Sequence, residues 1–198
     1  MNIPNLTKYQ LNKAKKNLEA IFLQATEEHK KSGLLWYQTA HNICKNLNEE
    51  TENQFTPEQI AGVIAALSPR NKWERNILDA YNVLKAVKLN KKPQAVKVCT
   101  FNKNKEKAFN IAKGKESIKP TARKTSAFVS NIATLDENRV TIDLWHLRAL
   151  FGKTITGGLT PKKYDILEEL TIKVANKFGL KGYEFQAIIW EQIRNNWQ

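Results

Sequence analysis

Lys124 and Asp143 are the residues of this chain whose types and spacing could do covalent chemistry. The lysine opens the stretch Arg-Lys-Thr-Ser-Ala-Phe. The aspartate follows nineteen positions later, behind the short β-branched run Val140-Thr141-Ile142. A lysine amine becomes a nucleophile when desolvation or nearby positive charge lowers its pKa. Lys124 follows Arg123 and precedes the apolar Ala127, Phe128, Val129 and Ile132, so the sequence offers both causes. Asp143 lies between Ile142 and Leu144, where an N-cap role alone would explain it. A capping carboxylate is held rigidly, and it could also take a proton from a lysine or stabilise a cationic sugar. The plain alternative is a lysine on a basic strip and an ordinary helix cap.

The elements that must position this pair read as helices. Apolar residues at Leu11, Ala14, Leu18, Ile21, Phe22 and Ala25 keep the 3–4 spacing of one buried face and predict a helix over 11–32, closed by Gly33. A second helix is expected over 34–47. Thr56-Pro57-Glu58 is a helix start, with an N-cap hydroxyl, proline in the first turn and an acid near the positive end of the dipole. The helix that follows is apolar nearly all round from Ile60 to Leu67, so it belongs at the centre of a core and ends at Ser68-Pro69-Arg70. Further helices are expected over 72–87, 101–112, 121–134, 143–151, 161–178 and 182–195, with a basic linker at 90–100, a tight connection at 116–120 and a turn-rich loop at 152–160. The expectation is an all-α protein of eight or nine helices with no convincing sheet.

The chain has 198 residues and a net charge of +13, enough for one domain or two small lobes. Residues 85–124 hold thirteen of its basic side chains and only two acids, Glu106 and Glu116. Such clustering suits a polyanion-binding face, where neutralised phosphates release counterions, although lysine-rich helix faces can also be merely solvated. Two cysteines, Cys44 and Cys99, cannot form a four-cysteine zinc or iron–sulfur site and fit free thiols in a reducing compartment. No metal and no cofactor is expected. With no apolar run of the ~20 residues a bilayer requires and no secretory signal at the N-terminus, a soluble cytoplasmic protein, a monomer, is expected.

Other polar residues carry two readings each. In Ser68-Pro69-Arg70-Asn71-Lys72-Trp73-Glu74-Arg75, Arg70, Asn71, Trp73 and Arg75 suit phosphate contact, base-edge hydrogen bonds and stacking. Alternatively, Trp73 packs in the core and the arginines pair with Glu74 or Asp79. His146, one turn after Asp143, could face substrate. His29 and His41 read as structural or surface residues without partners. Asp165, Glu168 and Glu169 read as a solvated face. Trp36, Tyr37, Trp73, Trp145, His146, Tyr183, Phe185 and Gln186 are the candidates for lining a base pocket.

Three stretches in order resemble the helix-hairpin-helix (HhH-GPD) superfamily of DNA glycosylases. "IAGVIAALSPRNKWERNILDA" (60–80) resembles the family's buried helix, polar turn and following helix. "RKTSAFVSNIATLDENRVTIDLWHL" (123–147) resembles its catalytic core, and "EFQAIIW" (184–190) its late helix beside the site. The "ALSPRN-WERN" and "VT-D-W" patterns also resemble small phage-borne proteins of uncharacterised function.

The resemblance implies a two-lobed fold with Lys124 and Asp143 in the cleft. Residues 1–55 would be N-terminal helices, 56–100 a first lobe, 101–151 the hairpin and catalytic core, and 152–198 helices returning to the cleft. It further implies that Lys124 is a Schiff-base nucleophile, Asp143 its activating carboxylate, and DNA the partner, duplex or with a flipped base. Arg70 or Asn71 would fill the gap that the base leaves. The stretch before the lysine, Ile118-Lys119-Pro120-Thr121-Ala122-Arg123, departs from the family's glycine-rich hairpin, so phosphate binding there would rest on Lys119 and Arg123. Trp145 stands where many members carry a smaller residue. The expected activity is a DNA N-glycosylase with lyase activity. An enzyme of the same fold remodelling a modified base, and a non-catalytic DNA-binding protein, remain as alternatives.

Overall fold

The computed structural model describes residues 2–196, with side chains to Arg194. Among the described residues every regular element is helical: α1 (Lys8–Gln24), α2 (Glu27–Glu50), α3 (Pro57–Leu67), α4 (Trp73–Lys88), α5 (Asn102–Ala112), α6 (Arg123–Thr134), α7 (Leu144–Phe151), α8 (Pro161–Lys177) and α9 (Gly182–Asn196), with one 3-10 turn at Pro93–Ala95. The protein is all-α, as the periodicity predicts.

The helix starts follow local chemistry. Thr7, Thr56, Asp143 and Thr160 each accept a hydrogen bond from a backbone N–H of the first turn, which satisfies a donor that the helix leaves without a partner. At α3 the cap is reciprocal. Thr56 accepts from Gln59 N, and the Gln59 side chain accepts from Thr56 N at 2.9 Å, the two-way arrangement of a capping box.

The first helix departs from expectation. The predicted span 11–32 is broken at Ala25 and Thr26, and Gly33 lies inside α2 rather than ending a helix. Thr26 accepts from His29 N at 3.2 Å and starts α2, with Glu27 and Glu28 in its first turn. Gly33 answers a packing demand instead. A Cβ there would stand 2.5 Å from Ile188 N and 2.6 Å from its Cα, so only glycine lets α9 come this close.

The chain divides into two compact units: residues up to Thr39 together with those from Leu135 onward, and residues 40–134. The boundaries expected at 55, 100 and 151 therefore shift: the connection 113–122 groups with the residues before it, and α7 with α8, α9 and α1.

In the first unit α1, α7, α8 and α9 pack on one another around Leu18, Leu150, Leu167, Phe185 and Ile189, all essentially solvent-free. In the second unit α3 packs against α4, α5 and α6, and all eight residues from Ile60 to Leu67 are buried, as a helix apolar all round must be. A Cβ on Gly62 would meet Ile111 at 3.0 Å, which marks how closely α3 and α5 approach.

Candidate functional site

The second unit presents the nucleophile candidate. Lys124 sits in the first turn of α6 and is exposed. The apolar residues after it do not enclose it: Ala127 and Ile132 turn into the core, while Phe128 and Val129 are half-buried. The desolvated lysine expected from the sequence is thus corrected to a solvent-facing one within this unit. Arg123 is half-buried and donates to Pro120 O at 3.4 Å. Lys119 is exposed in the glycine-free turn just before. A groove of about 670 Å³ within the same unit is lined by Thr56, Gln59, Ile118, Ser126, Val129 and Ser130. At ~100° per residue those α6 positions face away from Lys124, so the lysine does not belong to that groove.

The polar turn after α3 is organised by Asp79, a fully buried carboxylate on α4. Its Oδ1 accepts from Arg75 Nε at 2.8 Å. Its Oδ2 accepts from Asn71 Nδ2 at 3.0 Å and from Cys99 N at 2.8 Å. Asn71 Nδ2 also reaches Leu67 O at 3.4 Å. Asn71 and Arg75, candidates for DNA contact, both brace Asp79, which for Arg75 is the alternative pairing, because a buried carboxylate needs hydrogen-bonding partners. Trp73 is half-buried at the start of α4.

Arg70 is different. It is exposed, its backbone is left-handed at φ 57°, and its guanidinium lies 5.5 Å from the Phe101 ring centroid. Phe101 is itself exposed, and Thr100 Oγ1 donates to Pro69 O at 3.0 Å beside it. Sequence reasoning missed Phe101, taking it for the first residue of a helix, whereas it is the residue before α5. An exposed aromatic in so basic a stretch was the available signal.

The first unit presents the carboxylate candidate. Asp143 is half-buried and caps α7, its Oδ1 accepting from His146 N at 2.8 Å. The segment that delivers it, 140–142, lies outside any helix and is buried. Tyr164 Oη donates to Val140 O at 2.7 Å and accepts from Ile142 N at 3.0 Å. Glu168 Oε1 accepts from Val140 N at 2.8 Å and from Arg139 Nε at 3.0 Å. Glu168 is therefore corrected from a solvated-face residue to a strut of this segment. Asp165 and Glu169 are exposed as expected.

Within the same segment the Thr141 side chain hydrogen-bonds Tyr37, whose hydroxyl donates to Gln186 Oε1 at 3.1 Å. Burial raises both tyrosines well above their ordinary pKa, with the nearby Asp143 charge adding to each.

Several predicted pocket residues are core residues instead. His146 is 2% exposed and Gln186 5%, so neither presents its side chain to a substrate in this structure. The His146 ring packs against Thr171, Nε2 to Oγ1 at 3.0 Å. Thr171 commits its own proton to Leu167 O at 2.8 Å, which makes Nε2 the protonated nitrogen. Burial lowers the His146 pKa to about 3. Tyr37, Tyr183 and Phe185 are buried too, while Trp36 and Trp145 are half-buried. Trp145 carries the Arg148 guanidinium 5.1 Å from its ring. His29 and His41 have partners after all: Gln192 Oε1 lies 2.6 Å from His29 Nδ1, and Ile132 O lies 2.8 Å from His41 Nδ1.

Among the described residues no cluster of three histidine, cysteine or acidic side chains could hold a metal ion. No described helix is long and apolar enough to cross a membrane.

Fold and sites together define an all-helical protein of two compact units, one with a basic outer face and the other with a braced aspartate. The chain belongs to DUF7178, a family of unknown function, whose model matches residues 1–197. No curated protein and no solved structure matches it.

Proposed function

We propose that this protein is a DNA N-glycosylase with lyase activity, of the HhH-GPD type, with Lys124 as nucleophile and Asp143 as its carboxylate. The observation that carries the reading is an ordered piece of local structure: a lysine in the first turn of α6, a braced non-helical segment after that helix, and an aspartate that caps the next helix.

In this reading the Lys124 amine nitrogen bonds to C1′ of a flipped nucleotide as the C1′–N bond breaks. The bonding electron pair leaves with the base, which takes up the proton released from the lysine nitrogen. The Asp143 carboxylate balances the positive charge that builds on the sugar. Opening of the sugar ring leaves an imine between Nζ and C1′. Loss of a C2′ proton then expels the 3′ phosphate oxygen, which breaks the strand, and water releases the lysine. The exposed lysines between 85 and 124 supply sequence-independent attraction to phosphates. Arg70 over Phe101 offers a cationic, aromatic surface on which an unstacked base can rest.

Borohydride trapping on duplexes carrying an abasic site, uracil, 8-oxoguanine or oxidised pyrimidines tests the reading, with Lys124→Gln beside wild type. A lysine-dependent crosslink is expected. Folded Lys124→Gln protein that cleaves as fast as wild type would remove the reading. Salt-sensitive binding with no crosslink would leave a protein that holds DNA without acting on it, to which the basic face of the second unit is equally suited.

A further inference from the structure

The chemistry above makes no use of Tyr164, yet this residue controls the segment that delivers Asp143. A stretch outside any regular element must still satisfy its backbone N–H and C=O groups when it is buried. Val140 is 0% exposed and Ile142 2%, and no neighbouring strand serves them among the described residues. One hydroxyl does so instead. Tyr164 Oη spans the segment, donating to Val140 O at 2.7 Å and accepting from Ile142 N at 3.0 Å. Glu168, one turn further along α8, takes Val140 N at 2.8 Å. The next residue after Ile142 is Asp143, whose backbone is extended and whose Oδ1 caps His146 N at 2.8 Å.

We infer that Tyr164 is a positioning residue for Asp143, fixing where the carboxylate stands by holding the backbone immediately before it. The inference rests on Asp143 acting in the glycosylase chemistry proposed above. Misplacement of a reacting group by about 1 Å can lower a rate by about 10²-fold. A phenylalanine at 164 keeps the ring and its packing but releases both backbone groups, so it isolates the hydroxyl.

The test uses the full chain on duplexes carrying uracil, 8-oxoguanine or an oxidised pyrimidine, so that base expulsion is read, with Tyr164→Phe, Asp143→Asn and the double variant. Leu167→Ala, a cavity in the same helix, controls for loss of stability alone. Tyr164→Phe is expected to lower kcat about tenfold or more with KM unchanged, to add nothing on top of Asp143→Asn, and to speed hydrogen exchange of the His146 amide. Leu167→Ala is expected to keep kcat at a temperature where it remains folded.

Folded Tyr164→Phe with wild-type kcat, or with a loss that adds in full to that of Asp143→Asn, would overturn the inference. So would unchanged exchange at His146, whatever the activity. Wild-type turnover by Asp143→Asn would instead remove the glycosylase reading and the inference with it. Should Tyr164→Phe fail to fold, Thr141→Val, which loses the side-chain bond to Tyr37 on the same segment, is read by the same criteria.

Discussion

Two aspartates organise two loops of this molecule in opposite ways. In the second unit everything converges on Asp79: Arg75, Asn71 and the Cys99 amide all donate to one fully buried carboxylate. In the first unit the bracing lies on the segment before the acid, and Asp143 itself caps α7. Tyr164, Glu168 and Tyr37 hold 140–142, and Asp143 is left half-buried at the end of the held segment. Asp79 is fully buried beneath three donors, whereas Asp143 is half-buried at a helix N-terminus. On that difference Asp79 reads as a structural centre, and Asp143 is the carboxylate to which the proposed chemistry assigns charge balance, although local sequence shows both simply as an acid on or beside a helix.

The sharpest way to break the comparison is to exchange the two phenotypes. Asp143→Ala removes a helix cap and the proposed charge stabiliser. It is expected to cost about 1 kcal/mol of stability but about 10²–10⁴-fold in kcat, read by urea denaturation and single-turnover cleavage. Asp79→Ala leaves Arg75 and a buried amide without their acceptor. It is expected to cost about 3 kcal/mol, while the folded fraction turns over saturating DNA normally. Equal stability losses, or an activity loss confined to Asp79→Ala, would dissolve the distinction.

A pH-dependent effect follows from His146. Its folded pKa of about 3 lies below the usual histidine value of 6.5, so below that value the unfolded chain binds a proton that the folded chain does not. The stability this neutral histidine contributes is present above pH 6.5 and is lost as pH falls toward 3, by up to about 1.4 kcal/mol per pH unit. A His146→Asn variant should show a shallower fall than wild type between pH 6.5 and 4 in urea midpoints. An identical slope would place the ring in a more open site than the structure gives it.

The smallest effect belongs to single lysines of the basic face. Lys119→Ala is expected to reduce the slope of log K against log salt by about 1 without changing sequence preference. A slope unchanged by removing Lys119, Lys113 and Lys115 together would mean that DNA lies elsewhere on the second unit.

The helices were largely legible, because caps and apolar spacing act over one or two turns. Thr56-Pro57 and Asp143 declare their helices through their own side chains, and Ile60–Leu67 declares its burial by having no polar face. Gly33 was misread because a glycine looks the same whether it ends a helix or admits a neighbour. The neighbour, Ile188, lies far along the chain. The start of α2 had a local signal, Thr26 followed by Glu27 and Glu28, which the continuous apolar spacing masked. Glu168 looked solvated beside Lys162 and Lys163 because its true partners, Arg139 and the Val140 amide, belong to another element. Within the candidate site, the type and order of Lys124 and Asp143 could be read directly. The burial of His146 and Gln186, and the stacking of Arg70 on Phe101, depend on tertiary packing that periodicity does not encode.

The most direct test of the central claim is borohydride trapping of the wild-type protein on an abasic-site duplex, followed by peptide mapping of the crosslink. The account predicts a single adduct at Lys124, absent in Lys124→Gln and much slower to form in Asp143→Asn. Trapping at another lysine, or none at all on DNA that the protein binds, would contradict it.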